Sequence, residues 1–292
     1  MGAALALAAP YVWVLGVAQD AGHPQVGCTR DCCAAAWEDV SKRHMATSIA
    51  LVDPASGRRW IFDATPSLPD QLHTLDAVAP ASAGKVLDGV FLTHAHMGHY
   101  TGLVHLGREG LAATGVPVWV MPRMAGVLRG GAPWNLVVSA GHVELRDLTA
   151  GVAVDLGGLS VTPILVPHRD EFSETVAFRI EGPNRSLLYL PDIDRWEGFD
   201  LDAVLATVDV ALLDGTFWAD GELVGRDMSK VPHPRVVDTM ARLGSLSTER
   251  RGEVRFIHLN HTNPLLDPAS PQGAAVKAAG FAVAAQGDVI PL

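Results

Sequence analysis

Three histidines fall within six residues in FLTHAHMGHYTG (residues 91–102), at positions 94, 96 and 99. They directly follow an apolar, β-rich run, so they sit where a strand ends and the chain turns. Alternate residues, and one three further on, converge on a single point there. Neutral imidazole is the commonest ligand for zinc and also suits iron, so the clustering favours a metal nest over hydrogen-bonded core or surface side chains. Alone, the run supplies too few ligands for a closed site. Further donors stand at other strand ends. His168 closes LSVTPILVPH, Asp192 follows SLLYLP, and EVRFIHLNH ends in His261, with His258 inside the strand. Loops at one rim of a sandwich are free of ladder constraints, and sites assemble there. A carboxylate such as Asp192 can bridge two cations, and five histidines plus one Asp match a two-metal template with ions about 3.5–4 Å apart.

The elements that must position these residues read as alternating short strands and helices. YVWVLGVA, TSIALVD, RRWIFDA and LDGVFLTH are β-rich runs bounded by Gly, Pro or Asp. SLPDQLHTLDAVAP carries helical spacing at Leu68, Leu72 and Leu75. VPVWVMP predicts a strand and MAGVLRG a helix. A β-dense middle follows: HVELRDL, GVAVDLG, LSVTPILVP, ETVAFRIEG and SLLYLPD. DVALLDG and EVRFIHLNH are later strands, PRVVDTMARLG and SPQGAAVKAAG later helices, and a short strand ends the chain. Two β-rich halves flanked by helices predict an α/β fold, a four-layer αβ/βα sandwich over residues 1–292 as a single domain, rather than a doubly wound sheet. No strand is followed by a GxG-type phosphate loop.

Composition narrows the partners. Lys plus Arg is 22 and Asp plus Glu is 32, so the net charge is 22 − 32 = −10. An acidic chain without a basic run starts from repulsion toward phosphate backbones, so no nucleic acid is expected and a small molecule is. The N-terminal run MGAALALAAPYVWVLGVA has no charged side chain. Pro10 and the strand-like second half argue against a transmembrane segment, and the lack of a basic n-region argues against an intact signal peptide. Residues 1–10 read as disordered or as the tail of a trimmed signal, which leaves a cytoplasmic or periplasmic location open. Oligomeric state is also open.

Three cysteines, Cys28, Cys32 and Cys33, crowd into GCTRDCC. Their number and spacing do not make an ordinary disulfide framework. The alternatives are a small structural metal site completed by His23 or His44, a disulfide that would use Cys28, or plain buried thiols.

H-A-H-M-G-H resembles the H-x-H-x-D-H signature of the metallo-β-lactamase superfamily, and His168, Asp192 and His261 fall in the order of that family's later ligands. LLDGTFW (212–218), IHLNHTNPLLDPASP (257–271) and GVAQDAGHPQVGCTRDCC resemble the PqqB family of pyrroloquinoline quinone biosynthesis, in the branch with ribonuclease Z and cyclic-phosphate diesterases. The resemblance covers the whole chain. It implies that His94, His96 and His168 hold a first metal, that His99 and His261 hold a second, and that Asp192 bridges. Gly98 departs from the pattern, because it stands where the family carries an Asp that ligates the second metal. The chain also departs from the PqqB family, whose first histidine run is degraded.

The resemblance further implies that His233 is a proton donor to the leaving group and that Asp214 orients it. Bland alternatives are a loop histidine and a turn aspartate. The loop bearing Asp20 and His23 follows the first strand and can approach the metal. Asp170, Glu171 and Glu174 read as solvated charges that disfavour a highly anionic substrate, and the tryptophans Trp37, Trp134, Trp196 and Trp218 as packing. The expected function is a metallo-hydrolase with one or two zinc ions, or iron or manganese. Metal-bound hydroxide would attack a small ester, lactone, lactam or phosphodiester. The alternatives are a PqqB-like iron-dependent oxygenase, since His and carboxylate ligation with an open position suits non-haem iron, and a non-catalytic metal carrier.

Overall fold

The computed structural model describes residues 9–81 and 85–292. The expected signal remnant at 1–10 therefore lies mostly outside the described residues. Fourteen strands follow in chain order: β1 (Tyr11–Gly16), β2 (Ser48–Asp53), β3 (Arg58–Phe62), β4 (Gly89–Phe91), β5 (Val116–Val120), β6 (Val143–Asp147), β7 (Val154–Asp155), β8 (Ser160–Leu165), β9 (Val176–Glu181), β10 (Ser186–Leu190), β11 (Val210–Asp214), β12 (Val254–Ile257), β13 (Ala282–Val283) and β14 (Val289–Pro291). They form two seven-stranded sheets, ordered β14-β1-β2-β3-β4-β5-β6 and β13-β12-β11-β10-β9-β8-β7.

Each sheet is antiparallel in one part and parallel in the other. The neighbours among β1, β2 and β3 run antiparallel, while β3 through β6 pair in parallel. In the second sheet β7 through β10 are antiparallel and β10 through β13 parallel. Parallel neighbours need crossovers, and helices such as Leu68–Val78, Pro122–Gly130, Val236–Arg242 and Pro271–Ala278 lie in them. The four-layer sandwich expected from the alternating pattern is the architecture found. Strand β14 closes the chain onto β1, pairing Tyr11 with Pro291.

Strands buried on both faces read as continuous apolar runs rather than alternating ones, and β2 and β11 are buried at every position. Between the sheets, Phe62 stacks on Phe91 with ring centroids 5.0 Å apart, and Phe178 meets both edge-on. Trp119 extends the stack beyond Phe91 at 4.6 Å. A second apolar cluster lies between the first sheet and its helices, where Leu68 and Leu75 dock. Gln71 shares that helix face. It is buried because its amide donates to the Ala46 carbonyl at 2.6 Å and its oxygen accepts from the Thr65 hydroxyl at 2.8 Å.

Phe62 is fully buried and immediately precedes Asp63, a residue of the site described below. Phe62→Ala should cost about 3–5 kcal/mol of stability through lost burial and a residual cavity. Urea unfolding checks this through a lowered midpoint at unchanged slope.

Candidate metal centre

The C-terminal ends of β4, β8, β10, β11 and β12 point to one rim, and they deliver His94, His168, Asp192, Asp214 and His258 there. His99 follows His94 on the one-turn helix Met97–Tyr100. Asp192, 4% exposed, is the hub. Its Oδ2 lies 2.9 Å from His99 Nε2, 3.3 Å from His258 Nε2 and 3.9 Å from His94 Nε2. Its Oδ1 lies 3.9 Å from His168 Nε2 and 3.7 Å from His233 Nδ1. Two ligand-like groups flank this carboxylate, His94/His96/His168 on one side and Asp20/His99/His258 on the other, each with donor atoms within 4.8 Å of one another.

The outer nitrogens of these rings are tied down. His99 Nδ1 donates to Asp63 Oδ2 at 2.8 Å, and Asp63 also accepts from Thr93 N–H at 2.8 Å and from the Thr93 and Tyr189 hydroxyls. Because the Thr93 hydroxyl gives its proton to Asp63, it accepts from His94 Nδ1 at 2.9 Å. Thr216 repeats the device: it donates to Asp214 Oδ1 at 2.7 Å and accepts from His258 Nδ1 at 3.0 Å. His168 Nδ1 faces Asp194 Oδ1 at 2.9 Å without hydrogen-bond alignment. The outer-nitrogen contacts turn the Nε2 atoms of His94, His99 and His258 inward.

Those three Nε2 atoms, and Asp192 Oδ2, are buried with no hydrogen-bond partner; His99 and Asp192 approach closely but are not aligned. A buried polar atom without a partner costs free energy, and four such atoms around one point fit a bound cation. Anchored outer nitrogens are the arrangement that orients metal-ligating histidines. The donor set, imidazole with carboxylate, suits zinc, iron or manganese.

Proton affinities agree with this reading. Burial, then neighbouring His99, holds His94 well below its ordinary value, and burial with His168 brings His96 to about 4. Burial also lowers His258. These rings are neutral and available as ligands near pH 7. His99 is the exception, because burial is outweighed by the Asp63 and Asp192 charges and its pKa is raised. Backbone strain gathers here too. Five non-glycine residues have positive φ among the described residues, and four of them are Asp20, Asp63, His233 and His258.

His261 is the residue the structure does not bring to the centre. Its Nε2 lies 3.1 Å from Arg30, and its ligand atom groups with Cys28, Cys32 and Cys33 instead. His258 takes the place expected for it, with Nε2 3.3 Å from Asp192 Oδ2 and a backbone φ of 66. His261 also replaces His23 and His44 as the fourth partner of the cysteines: His23 Nε2 donates to the Cys32 carbonyl at 2.8 Å instead. The thiols are free, with Cys28 and Cys32 sulfurs 3.7 Å apart. His233 and Asp214 come together as expected, Nδ1 to Oδ2 at 2.7 Å. Glu171 is not only a solvated charge, for it reaches to 3.6 Å from His96 Nε2. Asp63, Asp194, Thr93 and Thr216 escaped the sequence reading, although Asp63 ends RRWIFD, a strand-end Asp of the kind that drew attention to Asp192.

The family model of the beta-lactamase superfamily domain matches residues 58–287. The chain belongs to the metallo-β-lactamase superfamily. It is an enzyme of that superfamily and is PqqB-like. Coenzyme PQQ synthesis protein B of Xanthomonas euvesicatoria pv. vesicatoria (strain 85-10) is 28% identical over 306 residues, covering 96% of this chain and 99% of the relative. The crystal structure of Zn(2+)-bound PqqB from Methylobacterium extorquens superposes with a TM-score of 0.82 at 25% identity, over 97% of this chain and 100% of that one. A diphosphatase from the PhnP family shares the fold, with a TM-score of 0.66 at 20% identity over 97% of this chain and 98% of that one. Within this superfamily framework the histidine and aspartate clusters mark a metal cofactor site. No helix among the described residues is long and apolar enough to cross a membrane.

Of the thiols, Cys28 has the most acidic environment. Burial raises its pKa, but the Arg30 backbone N–H and guanidinium, with the other thiols, together outweigh it and bring it down to about 7. Burial lifts Cys33 to about 12. In metal-free protein at pH 7.5, iodoacetamide should therefore label Cys28 first and Cys33 last. Mass mapping of the adducts checks this order, and added zinc should protect all three.

Proposed function

We propose that this chain is a metal-dependent hydrolase acting on a small ester, lactone, lactam or phosphodiester. The observation that carries the reading is the set of buried, unpartnered Nε2 atoms of His94, His99 and His258 converging on the equally unpartnered Asp192 Oδ2. In this account His94, His96 and His168 would hold one divalent ion, His99 and His258 would take part in holding a second, and Asp192 would serve both. Zinc is the first candidate for both. Bound there, such ions would supply a water acidic enough to attack near neutral pH and would polarise the scissile bond.

The chain's own residues do the rest. Asp63, Thr93 and Thr216 hold the imidazoles of His99, His94 and His258 in place, and Asp194 faces that of His168. His233 is 4% exposed at its side chain and is fixed through Nδ1 by Asp214, leaving Nε2 to hand a proton to the leaving group. The centre reaches solvent past His96, Glu171 and Asp20, whose side chains are 16%, 45% and 32% exposed. A substrate therefore arrives beside two carboxylates, which favours a neutral or weakly charged molecule. A separate ion held by Cys28, Cys32, Cys33 and His261 would be structural, since all four donors are protein side chains.

Burial lowers the His233 pKa, but the Asp214 charge and hydrogen bond outweigh it and the value is raised. A proton donor with a raised pKa stays charged to higher pH than an ordinary histidine and loses activity as pH climbs through that value. Turnover should therefore fall on the alkaline side, and Asp214→Asn should move that limb to lower pH. A pH–rate profile on chromogenic esters, lactones and diesters checks both statements. No turnover of any of them by zinc-loaded protein would sink the hydrolase reading.

A second reading is favoured by the end-to-end similarity to coenzyme PQQ synthesis protein B. It is an iron-dependent oxygenase in cofactor synthesis that uses the same ligands. Requirement for O2 separates the two.

A further inference from the structure

Gly98 occupies the position at which the superfamily signature carries a metal-binding aspartate, so that position gives the second ion no anion. The space above Gly98 is not empty. A Cβ at this residue would lie 2.3 Å from Asp20 Oδ1 and 2.4 Å from Asp20 Cα. Both separations are far below any real contact, and the second involves backbone, so no side chain fits at 98 while Asp20 holds its place.

Asp20 arrives from the loop after β1 and is itself strained, with φ 34 in a region L-residues rarely adopt. Its Oδ1 stands 3.7 Å from His99 Nε2, and its ligand atom groups with those of His99 and His258. The loop is fastened to the same segment that bears His258. Gln19 N–H donates to the Leu259 carbonyl at 2.8 Å, and Leu259 N–H returns a bond to Val17 at 2.7 Å. Asn260 Nδ2 donates to Gln19 Oε1 at 2.6 Å, and Gly22 N–H closes the turn onto the Gln19 carbonyl at 2.9 Å. Asp20 and His258 are therefore held in one fixed relation beside His99. Strain kept in place by such fastening is characteristic of functional positions. The His99 and His258 Nε2 atoms that this carboxylate faces are buried and unpartnered.

We infer that Asp20 is the anionic ligand of the second metal position, delivered by the N-terminal loop into the volume that glycine at 98 leaves open. The carboxylate has been relocated rather than lost, and the two positions are sterically coupled: one can carry Asp only if the other is small. This inference rests on the two-ion reading above. With Asp192 shared, the second ion would then meet Asp20, His99 and His258, two carboxylates and two imidazoles, a donor set suited to zinc or manganese.

The test is metal content by elemental analysis, with zinc affinity by competition against a chromogenic chelator. It uses full-length protein and Asp20→Ala, Asp20→Asn, Gly98→Asp and the exchange Asp20→Gly with Gly98→Asp. Thermal melting confirms that each variant is folded. Both Asp20 variants should hold one zinc equivalent fewer than wild type, or bind the last one more weakly than the roughly 10–100-fold that loss of an outer-shell partner causes. Gly98→Asp alone should also lose it, because its side chain collides with Asp20. The exchange variant should regain it. Wild-type zinc content and affinity in folded Asp20→Ala and Asp20→Asn would overturn the inference while leaving the two-ion centre standing. A folded exchange variant that fails to recover the ion would overturn the relocation. Wild-type protein that takes only one ion at the centre would overturn the two-ion reading first, and the inference with it.

Discussion

Asp192→Ala should empty the centre of metal and abolish turnover. The carboxylate touches both ligand groups at once, from 2.9 Å at His99 Nε2 to 3.9 Å at His94 and His168. Among the described residues no other carboxylate groups with both His94 and His99, and at 4% exposure no bulk water replaces it. Burial disfavours the charged form, yet the neighbouring His258 and His99 imidazoles outweigh it and hold the carboxyl well below its ordinary range, so it stands ionised for a cation. Removing one member of a buried charged cluster typically costs about 3–5 kcal/mol, or roughly 10²–10⁴-fold in zinc affinity for ions that both depend on it. Asp192→Asn keeps the shape and removes the charge, so it should show most of the same loss. Zinc content and turnover read side by side decide it. Retention of two ions by Asp192→Ala would contradict the bridging role.

The second large effect contrasts two histidines three residues apart. His258→Ala should cost the second central ion and lower turnover by about two orders of magnitude or more. His261→Ala should leave the central ions and turnover intact and disturb only the ion at the cysteines. His258 is 1% exposed and points at Asp192, whereas His261 contacts Arg30 and the thiols. Elemental analysis of both variants beside Cys32→Ala checks the assignment: His261 and Cys32 variants should match each other, and the His258 variant should not.

That contrast also marks how far the sequence carries. Apolar runs closed by Gly, Pro or Asp located the long strands, because strands buried on both faces leave a continuous apolar imprint. Donors at their ends, His94, His168 and Asp192, were legible for the same reason. Choosing between His258 and His261 was not, since both follow the same strand and only the folded contacts show that the first faces Asp192 and the second Arg30. Asp20 was visible only as a residue on a nearby loop. Its role depends on packing against Gly98, from β1 across to the end of β4, which no spacing rule reports. Asp63, Asp194, Thr93 and Thr216 look like ordinary strand-end residues until the rings they hold are placed. The short helices Asp31–Glu38 and Leu201–Leu205 also escaped, being too brief to show periodicity.

One measurement bears most directly on the account: hydrolysis by protein stripped with chelator, reloaded with zinc and assayed under argon on p-nitrophenyl esters, lactones and bis(p-nitrophenyl) phosphate. The two-ion hydrolase predicts turnover without oxygen, restored in proportion to central zinc and absent from Asp192→Ala. Inactivity with zinc, together with substrate oxidation that needs iron and O2, would contradict it and assign the same ligands to an oxygenase.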